Sequence, residues 1–206
     1  KAKKSLGQNF LIDKNILRLI ANSTKIEKKN EIIEIGPGTG NLTEFLLKKN
    51  PKKIYIIEKD EKLVNLLKNK FSKKLKIINE DILKFSKKNL LNNESIIFGN
   101  LPYNISSQIL VKFLKFNVWP PKFNDLILMF QKELANKITG KYLTTNYGRI
   151  SIISVFILSS LVLLKDGADI AFTHVVDVDD IIILALSFIA KAKFVDGPAL
   201  TYVAPS

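Results

Sequence analysis

Residues 31–40 read EIIEIGPGTG, an apolar run that ends in three closely spaced glycines. The nine residues that follow, NLTEFLLKK, place apolar side chains at the spacing of an amphipathic helix. This order of strand, glycine turn and helix is typical of sites where a nucleotide-like ligand contacts the backbone directly. Glycine permits this contact because it allows positive φ and has no Cβ atom. A tight turn without a ligand is the alternative interpretation of the same pattern.

Two details narrow the class of ligand. The glycines stand at 36, 38 and 40, so Asn41 occupies the position where the pyrophosphate-binding fingerprint requires its third glycine. Glu58 ends the next strand-like run, 22 residues after Gly36, and a carboxylate there accepts hydrogen bonds from both hydroxyls of a ribose. The pattern predicts a nucleoside without a pyrophosphate, a description that S-adenosylmethionine fits. Gly36, Gly38 and Glu58 are therefore candidate cofactor-binding residues.

The composition limits the chemistry that the chain could perform. With 206 residues and 47% hydrophobic content, we expect one domain of ordinary size and a fragment of a second. The absence of cysteine excludes disulfides, thiolate metal sites and cysteine nucleophiles. The single histidine, His174, argues against a metal cluster or a Ser-His relay. We expect no metal, and chemistry that depends on carboxylates, amides, backbone groups, aromatic rings or a cofactor.

The net charge of +13 indicates a polyanionic partner such as nucleic acid. Lys and Arg outnumber Asp and Glu only in residues 1–150, whereas residues 151–206 carry a net negative charge. Compositional bias is the alternative, but a preference for Lys over Arg does not explain an excess over acidic residues. We find no signal peptide, and the apolar run at 150–164 is too short for a membrane span, so we expect a cytoplasmic protein.

Strand-like and helix-like segments alternate along the chain, which predicts an α/β fold with a parallel sheet covered on both faces. Strands are predicted near residues 31–35, 53–58, 75–79, 95–99 and 125–130, and helices near 13–21, 41–49, 60–71, 105–116, 131–138 and 148–158. Ligands bind beyond the carboxyl ends of such strands. Gly36, Glu58, Asp81 and Asn100 each follow a predicted strand, so we expect them to meet at one edge of the sheet.

Asp81 and Ile82 follow the third predicted strand. The Asp81 carboxylate could accept a hydrogen bond from the exocyclic amine of a bound adenine, with Ile82 packed on the ring. A solvated loop carboxylate is the alternative.

Residues 100–103, Asn-Leu-Pro-Tyr, follow the fourth predicted strand and match the needs of methylation at an aromatic amine. Such a nitrogen is a poor nucleophile because its lone pair is delocalised into the ring. The Asn100 side-chain oxygen and a backbone carbonyl held beside the rigid Pro102 supply two fixed acceptors for the amine hydrogens. Tyr103 would stack on the base once it has left its helix.

Together these residues resemble the KsgA-type small-subunit ribosomal RNA adenine N6-dimethyltransferases. Besides Glu58 and Asp81, the matching segments are GQNFL (7–11), EIGPGTG (34–40), NLPYNIS (100–106), QKE (131–133) and NYGR (146–149). The resemblance covers residues 1 to about 153. The antibiotic-resistance methyltransferases that modify large-subunit RNA share the plan, but Gly7-Gln8 and Leu101 look more like the small-subunit branch.

The resemblance implies a Rossmann-like class I S-adenosylmethionine-dependent methyltransferase fold, with a mostly parallel seven-stranded sheet and helices on both faces. It implies cofactor contacts from Gln8, Asn9, Leu11, Gly36, Gly38, Glu58, Asp81, Ile82 and Asn100. It assigns the target adenine to Asn100, Leu101, Pro102, Tyr103 and Phe172. The implied reaction is direct displacement at the methyl carbon, performed twice on one nitrogen, without a metal.

Beyond residue 153 the resemblance weakens. The family carries a Phe-x-Pro-x-Pro loop, whose Phe stacks on the target base. Residues 172–176 align with that loop in this chain, and His174 and Val176 replace its two prolines. We expect these residues to form a loop, followed by a final strand from Ile181. Residues 1–186 are expected to form the methyltransferase domain, with 1–30 covering the cofactor site. Residues 187–206 are expected to be a remnant or start of the family's C-terminal helical domain.

The resulting hypothesis is a monomeric enzyme that dimethylates adenosines in small-subunit ribosomal RNA, acting on a precursor of the small ribosomal subunit. Two alternatives stay open. One is a large-subunit enzyme of the antibiotic-resistance type. The other is a cofactor-binding ribosome-assembly factor whose catalysis is impaired by the altered loop.

Overall fold

The computed structural model describes residues 12–71, 74–85, 90–102, 104–114, 122–140, 143–152, 172–178 and 181–187. Within these ranges five helices and seven strands follow one another along the chain. They are α1 (Lys14–Ala21), β1 (Glu31–Ile35), α2 (Asn41–Lys48), β2 (Lys53–Glu58), α3 (Glu61–Phe71), β3 (Lys76–Asn79), β4 (Ser95–Asn100), α4 (Ser106–Leu114), β5 (Asp125–Gln131), α5 (Lys132–Ile138), β6 (Phe172–Val178) and β7 (Ile181–Ser187).

The element bounds agree with the predicted ones to within a few residues from α1 to α5. The helix expected at 148–158 is described only at 149–152, where its backbone is helical. Asp13 caps α1 because its Oδ1 atom accepts hydrogen bonds from the backbone N–H groups of Asn15 and Ile16, at 2.7 and 3.1 Å. Residues 188–206, which include nearly all of the expected C-terminal remnant, lie outside the described residues.

The strands form one sheet in the order β3-β2-β1-β4-β5-β7-β6. Strands β1 to β5 are parallel to their neighbours, β7 runs antiparallel to β5, and β6 runs antiparallel to β7. The order of connection reverses between β1 and β4, and this reversal opens a crevice beyond the carboxyl ends of the strands. Ile35 pairs in register with both Ile57 and Gly99. The residues that follow these three in β1, β2 and β4 therefore lie at the same height along the strands, where the crevice begins.

Helices cover both faces of the sheet, as predicted. Successive residues of β1 point to opposite faces, and all five are buried. Ile32 joins a core with the apolar sides of α1, α2 and α3, whereas Ile33 joins a second core with α4 and α5. The parallel-sheet α/β architecture is therefore confirmed.

The structure corrects the prediction that residues 172–176 form a loop. Phe172–Val178 is strand β6, which pairs with β7 through an irregularity between Phe172 and His174. Thr173, Val175, Val176 and Val178 are β-branched, and such residues favour strands. The substitutions that replace the family's prolines also leave backbone N–H groups at 174 and 176 for pairing. His174 is accordingly a strand residue.

Candidate functional site

A cavity of about 290 Å³ lies at the carboxyl ends of β1, β2, β3 and β4. Most of its lining comes from the segments at the ends of these strands: Gly36–Thr39, Glu58–Asp60, Glu80–Leu83 and Asn100–Pro102. The position is the one that the strand order predicts for a ligand. The structure thus brings together four segments that are spread over residues 36–102 of the sequence.

The glycine turn shapes the floor of this cavity. Gly36, Gly38 and Gly40 have φ values of 63°, 59° and 81°, in the left-handed region that side chains other than glycine rarely adopt. The N–H group of Gly36 donates to the Ile57 carbonyl oxygen at 3.1 Å, which joins the turn to β2. A Cβ atom on Gly40 would lie 2.5 Å from the Phe71 ring, so this glycine lets α3 pack against the turn.

Glu58 ends β2 and is only 8% exposed, although its carboxylate lines the cavity. Its Oε1 atom accepts a hydrogen bond from the Asp60 N–H group at 2.8 Å. Burial raises the pKa of Glu58, while the backbone N–H groups of Asp60, Lys59 and Gly38 act in the opposite direction by stabilising the carboxylate. A carboxylate held in this way by backbone donors has a fixed direction, as acceptance from ribose hydroxyls requires.

Asp81 follows β3 and is held at both oxygens. Its Oδ2 atom accepts from Lys59 Nζ at 2.8 Å, and its Oδ1 atom accepts from the Leu83 N–H group at 2.9 Å. The Lys59 ammonium is the largest cause that lowers the pKa of Asp81. Ile82 beside it is 6% exposed and lines the cavity, so an acceptor and an apolar surface stand next to each other, as adenine recognition would need.

Glu34 is the most deeply buried acid among the described residues, with 1% exposure. Its Oε2 atom accepts a hydrogen bond from the Thr43 hydroxyl at 2.7 Å, which ties the end of β1 to the first turn of α2 across the glycine turn. Burial raises the pKa of Glu34 to about 7, and the Thr43 hydrogen bond opposes this rise. The pair braces the turn, and Glu34 also lines the cavity.

The segment after β4 forms the wall opposite Glu58. Asn100 ends the strand, and its backbone carbonyl oxygen faces Gly36. Leu101 is 2% exposed, and its side chain joins the core beneath α4 and α5. The Pro102 carbonyl oxygen accepts from the Ile105 N–H group at 3.1 Å, so the segment passes directly into α4. The backbone of this segment is therefore anchored on both sides.

Most of the predicted site residues within the described ranges meet at the cavity. Gly36, Gly38, Glu58, Asp81, Ile82, Asn100, Leu101 and Pro102 all line it. Gln8, Asn9, Leu11 and Tyr103 lie outside the described residues. The sequence argument missed Lys59, the Glu34–Thr43 pair and a lysine on α4, Lys112, which bonds to the turn after Asp81.

Phe172 is the predicted site residue whose backbone lies apart from the others. It pairs with Leu186, which pairs with Leu126, whereas Asn100 pairs with Met129 at the other end of β5. Strands β5 and β7 also separate β6 from β4. From strand spacing and rise, Phe172 is displaced from Asn100 by roughly 14 Å across the sheet and about 10 Å along it. The pairing places only the backbone of Phe172, and its role at the target base stays a prediction.

Two further findings concern the described residues only. Within them, no three His, Cys, Asp or Glu side chains come together in a way that would hold a metal ion. None of the helices in these ranges has the length and apolar content that a bilayer crossing requires.

The arrangement suits binding of a nucleoside and orientation of a reacting amine. The cavity joins a backbone-held carboxylate, a second carboxylate beside an apolar side chain, and an amide next to a proline. Its acceptors are fixed by the ends of strands, and fixed dipoles of this kind stabilise developing charge without reorganisation.

A family model described as ribosomal RNA adenine dimethylase matches residues 1–191 of the chain. Ribosomal RNA small subunit methyltransferase A of Pelagibacter ubique is 53% identical over 157 residues, which cover 75% of this chain and 58% of that protein. The protein of the same name from Malacoplasma penetrans is 38% identical over 194 residues, 94% of this chain and 68% of that one. The chain thus spans 55–58% of the length of the first curated relatives that it matches.

Solved structures show the same fold. A dimethyladenosine transferase from Plasmodium falciparum is similar at a TM-score of 0.66 and 26% identity, covering 87% of this chain and 63% of that one. The 23S rRNA methyltransferase ErmE is similar at a TM-score of 0.67 and 25% identity, covering 89% of this chain and 71% of that one.

Proposed function

The chain belongs to the ribosomal RNA adenine dimethylase family, and on that premise we propose that it dimethylates adenosine N6 atoms in small-subunit ribosomal RNA with S-adenosylmethionine. The observation that carries this proposal is the meeting of Glu58, Asp81 and Asn100 at the ends of three strands around one cavity. The 53% identity to a protein named for the small subunit favours that substrate over large-subunit RNA.

The cofactor would lie in the cavity between the glycine turn and β2. Gly36 and Gly38 leave room for its close approach, Glu58 accepts from the ribose hydroxyls, and Asp81 accepts from the adenine amine above Ile82. Gln8, Asn9 and Leu11 complete the proposed contacts from the N-terminal segment. The donor set fits the group, because the lining offers carboxylate and amide acceptors next to buried apolar side chains.

When bound, S-adenosylmethionine supplies an electrophilic methyl group on a good leaving group. The protein's own task is to present the N6 lone pair in line with that methyl group. The Asn100 side-chain oxygen and the Leu101 carbonyl oxygen accept the two amine hydrogens, which draws the lone pair out of conjugation with the ring. Pro102 restricts this backbone, and Tyr103 stacks on the base. Orientation of this kind supplies most of the rate.

The partner and the architecture form part of the same proposal. The net charge of +13 supports binding of ribosomal RNA within a precursor of the small subunit, with the protein acting as a cytoplasmic monomer. We assign residues 1–186 to a Rossmann-like class I methyltransferase domain with a seven-stranded sheet. Residues 1–30 cover its cofactor site, and residues 187–206 form a remnant or the start of a C-terminal domain.

One observation supports a second candidate, a cofactor-binding assembly factor with weak catalysis. Phe172 was expected to stack on the target base, but its backbone begins edge strand β6 away from the cavity. A site that lacks this ring would hold the cofactor normally and the target base loosely.

The test is tritiated methyl transfer, measured in parallel on small-subunit and large-subunit particles, with Asn100→Ala as the inactive control. The proposal expects label in adenosine of the small-subunit RNA alone. Label in the large subunit alone would replace the proposal with the resistance-type activity. Binding of S-adenosylhomocysteine without methyl transfer to either particle would support the assembly factor instead.

A further inference from the structure

Lys112, in the second turn of α4, makes two hydrogen bonds to a distant segment of backbone. Its Nζ atom donates to the Leu83 carbonyl oxygen at 2.7 Å and to the Phe85 carbonyl oxygen at 2.8 Å. These partners are 29 and 27 residues away in the sequence. The side chain therefore joins α4 to the turn that follows β3.

That turn carries the acid proposed to read the adenine. The Asp81 carbonyl oxygen accepts from the N–H groups of Lys84 and Phe85, both at 2.9 Å, and the Asp81 carboxylate accepts from the Leu83 N–H group. The N–H groups of residues 83–85 are thus directed toward Asp81, while the carbonyl oxygens of Leu83 and Phe85 are directed toward Lys112. The lysine therefore bonds to the turn without lining the cavity itself.

The same helix begins at the segment proposed to hold the target base. Ile105 donates to the Pro102 carbonyl oxygen, and Ser106, the first residue of α4, is 1% exposed. Ile109 and Leu110 are buried in the core between these residues and Lys112. A single rigid helix therefore connects the Asn100–Pro102 segment to the turn at residues 81–85.

Packing of the aliphatic stem alone does not explain this lysine. Burial lowers the pKa of Lys112 because it partly desolvates the ammonium group, whereas Glu80 and Asp81 act in the opposite direction. An apolar side chain of similar length would avoid that cost but would leave two half-buried carbonyl groups without these donors. The ammonium is the feature that fixes the turn.

We propose that Lys112 is a positioning residue, which holds the Asp81 turn against α4 and so sets the affinity and selectivity of the site for the adenine ring of its cofactor. This inference rests on the proposed function, because the turn matters only if an adenine lies beside Asp81. Lys112 itself does not line the cavity and touches no reacting atom.

The test compares Lys112→Met with Lys84→Met by calorimetry. Methionine retains the length of the side chain at 112 but removes its donors. Lys84 is an exposed lysine on the same turn, so Lys84→Met removes a positive charge near Asp81 and leaves both carbonyl contacts in place. The probes are S-adenosylhomocysteine and its analogue with hypoxanthine, whose carbonyl oxygen replaces the adenine amine.

The wild-type protein should bind the adenine compound at least about 10-fold more tightly than the hypoxanthine compound, since Asp81 accepts from the amine. In Lys112→Met, affinity for the adenine compound should fall about 10-fold and the discrimination should shrink to a few-fold, whereas Lys84→Met should retain both. In methyl-transfer assays, Lys112→Met should raise KM for the cofactor and leave kcat at saturation nearly unchanged.

Undiminished discrimination in a folded Lys112→Met would overturn the inference, as would an equal loss in Lys84→Met. If the methionine variant does not fold, Lys112→Gln, which places a shorter neutral donor at this position, is measured in the same way. The same two outcomes would overturn the inference. Failure of the proposed function looks different. If the cofactor assignment fails, the wild-type protein itself binds neither compound, and if only methyl transfer fails, neither particle is labelled while the binding comparison keeps its outcome.

Discussion

The backbone carbonyl oxygen of Asn100 lies 3.2 Å from the position that a Cβ atom on Gly36 would occupy. Gly36 has φ of 63° and follows β1, while Asn100 ends the neighbouring strand β4. The turn proposed to hold the cofactor is therefore in direct contact with the segment proposed to hold the target base. No side chain separates the two.

Gly36→Ala should strain both halves of the site. Left-handed backbone costs an L-residue about 1–2 kcal/mol, and the new methyl group would also press on the Asn100 carbonyl oxygen. We expect a loss of stability of that size in urea unfolding and a larger loss of affinity for S-adenosylhomocysteine in calorimetry. Gly148→Ala is the matched control, since nothing lies within 4 Å of a Cβ atom there. Equal effects of the two substitutions would contradict the prediction.

Glu58→Ala should weaken cofactor binding, because it removes a charged acceptor that lines the cavity. Hydrogen bonds to charged groups contribute roughly 1.5–3 kcal/mol, which the affinity for S-adenosylmethionine should lose. Glu61→Ala, which removes an exposed acid in the first turn of α3, is the control and should bind normally.

NAD should not bind to the wild-type protein, since Asn41 replaces the third glycine of the pyrophosphate fingerprint. Tight NAD binding in calorimetry would refute the ligand assignment.

Asn100→Ala should lower turnover by about 100-fold or more, as loss of one fixed acceptor does at comparable sites. Since Asn100 also lines the cofactor cavity, turnover has to be measured at saturating S-adenosylmethionine. Asn65→Ala, which alters an exposed asparagine on α3, provides the comparison and should leave turnover unchanged. Turnover near the wild-type value would remove Asn100 from the proposed mechanism.

Glu34 should make folding stability depend on pH. Its pKa is about 7 in the folded protein against 4.5 as the ordinary value, so between these pH values the folded state holds a proton that the unfolded chain has lost. Stability should therefore fall as pH rises through this window, by about 3 kcal/mol from this group. Urea unfolding from pH 4.5 to 8 should show this slope in the wild-type protein and a flatter one in Glu34→Gln. Parallel pH profiles of the two proteins would show that the pKa of Glu34 in the folded protein stays near its ordinary value.

The sequence predicted the central part of the fold because its signals there are local. The apolar run at 31–35 ends directly at a glycine, and the helices from α1 to α5 carry apolar residues at helical spacing. The parallel sheet with helices on both faces then followed from the alternation of elements. Glu58, Asp81 and Asn100 were found because each follows a strand, and parallel strands end at one edge of the sheet.

The remaining features depend on contacts that the sequence does not display. Strand β6 was mistaken for a loop because its residues were compared with a proline-containing segment, although its β-branched residues favour a strand. Lys112 was missed because its partners are backbone carbonyl groups 27 and 29 residues away, which no side-chain pattern marks. The Glu34–Thr43 pair was missed because it joins two residues on either side of the glycine turn, which no local pattern marks.

The glycines at 36 and 40 face different kinds of neighbour, and this difference bears on how the chain can evolve. The neighbours of a Cβ atom at 40 would be the side chains of Phe71 and Leu67, which substitutions on α3 could make smaller. The nearest neighbour at 36 is a backbone oxygen, which every amino acid at position 100 carries. Because Gly40 also has a φ of 81°, we expect substitutions there only by residues that tolerate left-handed backbone, such as Asn, together with smaller side chains at 67 and 71. Position 36 has no compensating partner and should stay invariant.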